Sequence, residues 1–304
     1  MIGIILSLGF AAVFGVNALF TRKGVLLASS TFAVLTSVFM GPLFFLLVLL
    51  ITGEMSTLSH FSWQAFIFFA ASGIIHFSLG RSCAYRSIQL VGATRSYVVT
   101  GLSTIVAILL AIVVLRETFT LLMALGTLFC LSGPTLLALK ENAKKVNPAR
   151  TGAADNVLSR HALYIGLLYG IGAAVFWGSS PIFIKLGLQH GGSSIAGIFV
   201  AYCAATITVS TILLERGTRQ QLFRLDKTAF RWFLLSGLTV NTAQMLRYLA
   251  LSYCPVIIVS LLTRTIPLWV LLLSFLFNRE HESFSRWVLL GNGLLLIGTI
   301  LVLL

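Results

Sequence analysis

The sequence predicts an all-α membrane protein, ten transmembrane helices arranged as two inverted five-helix repeats. Three observations carry that prediction. Only 10% of the 304 residues are charged and 58% are hydrophobic, whereas a soluble domain has ~25% charged residues. The chain therefore cannot clothe a globule in charge, and a mean hydropathy of +1.00 makes lipid its solvent. Apolar stretches of spanning length recur along the chain, and the second half repeats the first with the charge bias of its loops reversed.

A spanning helix needs about 20 mostly apolar residues. The first half offers such stretches at 2–20, 30–52, 63–88, 91–115 and 119–139; the second at 162–184, 194–214, 228–252, 255–277 and 284–304. Backbone N–H and C=O groups find no water in hydrocarbon, so these stretches must be helices, and their spacing does not suit barrel strands. Met1 leads straight into the first stretch without a basic leader or cleavage site, so that segment is expected to stay. Residues 140–160, KENAKKVNPARTGAADNVLSR, are the long polar interruption and read as a linker. The expected units are a first repeat at 1–139, the linker at 140–160 and a second repeat at 161–304.

Sliding the chain against itself pairs Arg116–Glu117 with Arg279–Glu280, a shift of 163 residues. The same shift pairs Ala11 with Ala174, Gly15 with Gly178, Phe20 with Phe183, Gly24 with Gly187, Tyr85 with Tyr248 and Thr100 with Thr263. Two extra residues in the last loop then bring Gly126 to Gly291 and Gly133 to Gly298. Five helices is an odd number, so a second copy must enter the membrane upside down. Charge tests this independently. Seventeen basic residues fall at 22–23, 81–95, 140–160, 216–231 and 279–286, a generous count because Arg81 lies within a helix. Arg116, Lys185 and Arg247 fall on the opposite side and Arg264 inside a helix. The basic loops follow helices one, three and five in the first copy, and helices two and four of the second, as inversion requires. The bias places the linker in the cytoplasm and both termini outside. It also accounts for the net charge of +13 without a nucleic-acid partner. Cys83, Cys130, Cys203 and Cys254 are far apart and form no CxxC, so they read as small apolar residues, with no metal site.

The run Trp177-Gly-Ser-Ser-Pro-Ile-Phe-Ile-Lys-Leu-Gly resembles the opening helix of an EamA repeat. Glu117 and Glu280, each followed by a short loop and a glycine-punctuated helix, are similar to that family as well. The likeness to the drug/metabolite transporter superfamily covers nearly the whole chain. It is better in the second repeat than in the first, where Phe14-Gly-Val-Asn stands at the start. The resemblance implies a ten-helix carrier working by alternating access. Some relatives keep both termini in the cytoplasm, against the charge count here.

Arg264 sits about nine residues from either end of the ninth stretch, near the bilayer midplane. A charge there costs at least ~2.5–3.5 kcal/mol, so it must face a cavity or a partner. The eight acids, Glu54, Glu117, Glu141, Asp155, Glu215, Asp226, Glu280 and Glu282, all lie in loops or at helix ends. A substrate anion is therefore a candidate counter-charge, because a guanidinium grips carboxylate or phosphate bidentately; helix-end carbonyls and hydroxyls are the structural alternative. The position also resembles a phosphate-contacting basic residue in the ninth helix of sugar-phosphate translocators, where a Lys precedes it; here Thr263 does. Pro267 should kink the same helix. Its repeat mate is Thr104, so the kink is expected in the second half alone.

Helix eight carries Asn241, Gln244, Arg247 and Tyr248, of which Asn241, Gln244 and Tyr248 have the i, i+3, i+7 spacing of one face. Helix three repeats the pattern with His76, Arg81 and Tyr85, and helix four adds Tyr97, Thr100 and Thr104. Polar faces inside a membrane bundle turn inward, which suggests a central cavity. Substrate contacts are expected from Arg264, Gln244, Tyr248, Arg81, Tyr97 and Asn241, with interhelical hydrogen bonding or snorkelling the plainer role for each. His76 is the candidate carrier of a coupling proton. Asn17, Ser179, Ser180 and Pro181 are secondary candidates, and Glu117 and Glu280 read as structural groups holding a neighbouring arginine or a helix N-terminus.

GxSxG, HExxH and P-loop motifs are absent, so no enzyme activity and no cofactor is expected. The function expected is secondary transport of a small organic anion or zwitterion, such as an amino acid or another carboxylated or phosphorylated metabolite. A flippase for a lipid-linked phosphate and a membrane-embedded non-transport protein are the alternatives. The expected partners are a small-molecule substrate and the lipid bilayer, in a monomer or homodimer. The expected location is a bacterial cytoplasmic (inner) membrane.

Overall fold

The computed structural model describes residues 1–28, 30–145, 160–211, 226–277 and 286–303, and these residues are almost wholly helical. In the first half α1 is Ile2–Val25, α2 Ser30–Thr52, α3 Trp63–Gly73, α4 Arg81–Val91, α5 Ala93–Gly101, α6 Ser103–Leu115 and α7 Leu121–Lys145. In the second half α8 is Arg160–Gln189, α9 Ser194–Ser210, α10 Lys227–Tyr253, α11 Val256–Leu262, α12 Ile266–Phe277 and α13 Arg286–Leu303. A π-helical turn, Ile74–Gly80, joins α3 to α4, and a 3-10 turn, Thr263–Thr265, joins α11 to α12.

Each apolar stretch read from the sequence is helical over most of its described residues. Six helices are long and apolar enough to cross a bilayer: Ile2–Val25, Thr31–Thr52, Trp63–Val91, Arg95–Leu115, His161–Gln189 and Val256–Leu273. Leu121–Gly133, Ser194–Ser210 and Leu290–Leu303 are apolar but shorter. Helix α10 is long, at 27 residues, but Asn241, Gln244 and Arg247 interrupt its apolar run. Most of the linker, together with Glu215, Arg279, Glu280 and Glu282, lies outside the described residues.

The halves interleave. Helix α1 packs on α10, α11 and α12, while its counterpart α8 packs on α3, α4, α5 and α6. Helices α2 and α9 pack on each other, as do α7 and α13. Close contacts repeat at the shift of 163 residues. A Cβ at Gly3 would meet Tyr253 and Cys254, and one at Gly166 would meet Leu90 and Val91. Gly9 faces Leu246 and Gly172 faces Cys83; Gly15 faces Trp269 and Gly178 faces Val106. Each of these facing residues is its partner's mate at that shift. Helices α1 and α10 run antiparallel, since Gly3 lies at Cys254 and Gly24 at Phe233.

The seam of α7 and α13 is built on small residues. Gly126 lies against the carbonyl of Gly298, and Gly133 against that of Gly291, so these helices also run antiparallel. Without water to drive apolar surfaces together, close backbone approach supplies the dispersion contacts that hold such a pair.

Loop ends are capped locally. Ser62 accepts from Ala65 N, Ser193 from Ala196 N, and Asp226 Oδ2 from Thr228 N at 2.9 Å and Ala229 N at 3.4 Å. Hydrogen bonds from Thr228 hold the Asp226 carboxyl below its ordinary range. The stabilisation from this cap is present in full above that range and is lost as pH falls through the lowered value. The four cysteines are free; Cys130 and Cys254 are buried, whereas Cys83 and Cys203 are only half-buried, less enclosed than small core residues.

At Gly73 an added Cβ would fall 2.0 Å from the carbonyl oxygen of Ala201, so Gly73→Ala must drive α3 from α9. A loss of about 1–3 kcal/mol in detergent unfolding is expected. Gly293→Ala, with nothing within 4 Å of the new methyl, should be neutral or stabilising by up to ~1 kcal/mol.

Candidate functional site

Three irregular turns surround one cavity. The first is the π turn Ile74–Gly80, which carries His76. A π turn shifts the i→i−4 ladder and leaves a carbonyl in need of a donor. The indole Nε1 of Trp177 in α8 donates to the carbonyl of His76 at 3.1 Å. Gly80 makes room for that indole, because a Cβ there would lie 2.5 Å from the ring.

The second and third turns are repeat mates. Helix α11 gives way at Thr263–Thr265. Pro267 has no N–H, and its ring excludes the carbonyl four residues back, that of Thr263. In the first half α5 gives way to α6 at Gly101 and Leu102, the mates of Arg264 and Thr265. The expectation of a kink in the second half alone is therefore corrected: proline breaks one helix, and in the other the break falls at a glycine, which weakens a helix interior.

Arg264 joins the two breaks. Its Nε donates to the Thr104 hydroxyl, and its Nη2 to the Gly101 carbonyl at 3.1 Å and the Ser103 hydroxyl at 2.7 Å. Its partners are all neutral.

The cavity between these turns has a volume of about 260 Å³. Arg81, Arg247 and Arg264 line it, with His76, Gln244, Tyr97 and Trp177. Phe10, Phe14, Pro181 and Ile266 supply apolar wall, and Thr100, Ser103, Thr104, Ser260 and Thr263 supply hydroxyls. Among the residues with described side chains no carboxylate lines it. Glu54 accepts from Ser193, Glu117 caps α11 and Asp226 caps α10.

The site residues expected from sequence divide. Arg264, Gln244, Arg81, Tyr97 and His76 come together on the cavity wall. Tyr248 and Asn241 do not. Tyr248 is 2% exposed, its hydroxyl 2.9 Å from that of Ser72, and its ring stacks near Phe69. Asn241 is fully buried and donates to the Ser37 carbonyl at 3.3 Å, joining α10 to α2. Pro267 acts through the helix break and is outside the cavity lining. Asn17 accepts from Thr21, Ser236 and Thr239, which ties α1 to α10.

Arg247 is the wall residue that sequence reasoning left out of the expected substrate contacts. It was read as part of helix eight and its charge counted on the side opposite the basic loops; it lies within α10, 8% exposed. Its Nη1 sits 3.4 Å from both nitrogens of the His76 ring and 3.5 Å from Gln244 Oε1. At about 100° per residue, Gln244 and Arg247 centre a face roughly 80° from the Asn241–Tyr248 line. The i, i+3 pair of Gln244 and Arg247 is the signal that could have found it.

Lys185, counted on the same side, lies in the last turns of α8. Its Nζ donates to the carbonyls of Leu251 at 2.7 Å and Cys254 at 3.1 Å, at the end of α10. Two residues on, Glu117 accepts from the N–H groups of Val256 at 2.6 Å and Ile257 at 3.0 Å. A cation thus meets the C-terminus of one helix and an anion the N-terminus of the next, each where the backbone dipoles favour it.

Apolar helices in two matching halves around a polar cavity define a two-repeat membrane protein. The chain belongs to the EamA-like transporter family, which it matches over residues 1–139 and again over 164–304. It is a membrane protein of the drug/metabolite transporter type, and members of this family are transporters, not enzymes. A solved crystal structure superimposes with a TM-score of 0.76 over 98% of this chain and 94% of the other, at 14% identity, a likeness of fold alone. No curated protein matches the chain.

Glu117→Ala should lower stability by about 1–2 kcal/mol by uncapping α11, measured by denaturant unfolding in detergent. Glu117→Gln, which keeps an acceptor oxygen, should lose less.

Proposed function

We propose that this protein is a secondary carrier that moves a small organic anion or zwitterion by alternating access. The observation that supports this most is the charge of the cavity: three arginines, and no carboxylate among the described side chains. Buried guanidinium groups without counter-charge are costly, and a bound anion supplies what the wall lacks. The volume of about 260 Å³ is that of roughly nine waters at ~30 Å³ each. It suits a metabolite of about ten non-hydrogen atoms rather than a lipid-linked phosphate.

In this reading ten membrane passes form two inverted repeats. The antiparallel course of α1 against α10 and of α7 against α13 supports it. Alternating access draws support from a difference between mates. Helix α11 is buried almost throughout and packs on α6. Its mate α5 leaves Tyr97 71% exposed, where the mate Ser260 is 9% exposed, and no comparable contact joins α5 to α12. The cavity is thus more open at the α5 end, and rocking the halves would exchange the two ends.

His76 would carry any coupled proton. A guanidinium has only donors, so protonating the ring would displace its contact with Arg247. The reading places the chain in a bacterial cytoplasmic membrane with the linker on the cytoplasmic face, and a monomer suffices because both repeats are in one chain.

The test is counterflow in proteoliposomes with labelled organic anions, zwitterions and cations. Saturable exchange of a small anion or zwitterion, with none for cations, is the expected result. Exchange confined to organic cations would overturn the reading.

A further inference from the structure

The three cavity arginines are not equivalent. A guanidinium has five N–H donors and no acceptor. Arg264 commits Nε and Nη2 to three neutral acceptors on the α5–α6 break. Those bonds join one broken helix to the other, which is the work of a structural staple.

Arg247 is held differently. It is 8% exposed, yet its contacts, all from Nη1, are long: 3.4 Å to the His76 ring and 3.5 Å to Gln244. Its Nε and Nη2 have no acceptor among the described residues. Arg81 gives Nη1 to the Ser37 hydroxyl at 3.0 Å and lies over the Phe77 ring, and its Nε and Nη2 are also without an acceptor among the described residues. Both side chains line the cavity.

Building on the carrier proposed above, we infer that Arg247 and Arg81, rather than Arg264, grip the substrate, and that the substrate is a small organic dianion, a dicarboxylate or a phosphate monoester. The wall carries three positive charges, since the neutral partners of Arg264 leave its charge in place; a monoanion balances one of them, and a zwitterion adds a positive charge for each negative one it brings. A dianion balances two and accepts from the Nε and Nη2 groups of Arg247 and Arg81 in the fork geometry that carboxylate and phosphate share. Gln244 and Tyr97 then offer neutral hydrogen bonds, and Trp177 an apolar wall.

The test uses the full chain in detergent, with thermal shift and calorimetry. The ligands are succinate, glycerol phosphate, butyrate and alanine. A saturable shift with a dianion is expected, at least about tenfold tighter than with butyrate or alanine. A response to succinate alone identifies dicarboxylate, and one to glycerol phosphate alone the phosphate monoester. Arg247→Gln and Arg81→Gln should each weaken binding about ten- to a hundredfold. Arg264→Gln, which keeps a donor for Gly101, should weaken binding clearly less than either of those variants while its ligand-free Tm falls. Arg247→Lys guards against misfolding: it keeps the charge, should elute and melt like wild type, and should still lose about tenfold in affinity through loss of the fork. Binding abolished by Arg264→Gln but retained in Arg247→Gln and Arg81→Gln would overturn the assignment. So would butyrate or alanine binding as tightly as the dianions. If no anion or zwitterion binds the wild type while cations do, the carrier reading itself fails, which is a different result from anion binding that survives Arg247→Gln.

Discussion

A backbone amide inside a bilayer has no water to turn to, so every interruption of a helix must be made good by a protein group. This chain interrupts its helices repeatedly around the cavity. The carbonyl in the π turn is met by Trp177, and the carbonyl at the α5 break by Arg264. The end of α10 is met by Lys185 and the start of α11 by Glu117. Of these four side chains, Arg264 and Lys185 are charged groups on otherwise apolar segments, Glu117 stands just past the end of α6, and Trp177 offers a single N–H. Much of the buried polarity of the protein is thus explained by its backbone before any substrate is considered.

That constraint also separates two uses of buried charge. A cation whose donors are spent on carbonyls and hydroxyls is part of the architecture. One whose donors face open cavity is not yet satisfied. Arg264 belongs with the first kind and Arg247 with the second, although both lie deep in the bundle. Depth and charge alone, the properties visible in a sequence, do not distinguish them.

The helical class, the two halves and their shift of 163 residues were legible because they rest on composition, periodicity and self-similarity, all properties of the chain itself. The contacts of Gly15 with Trp269 and of Gly178 with Val106 follow that shift to the residue. The site was legible only in part. The polar stripe of α10 was centred on Asn241 and Tyr248, although Arg247 stands on the same helix three residues beyond Gln244. A helix with two packed flanks, as α10 has against α1 and α2, also places polar residues at its interfaces, and spacing does not reveal which neighbour each one meets. The second helix break was missed because its signal, Gly101, is a single glycine in a chain with 26 of them.

The indole of Trp177 has one edge fastened to the His76 carbonyl and its ring on the cavity wall beside His76. It is therefore a built-in optical probe. Indole emission responds to the polarity and charge around the ring, and a guest that replaces water here would change both. Of the other four tryptophans, Trp63, Trp232 and Trp269 lie outside the cavity lining. A chain with phenylalanine in place of the other four tryptophans would report occupancy of the cavity through its own fluorescence, with no label attached.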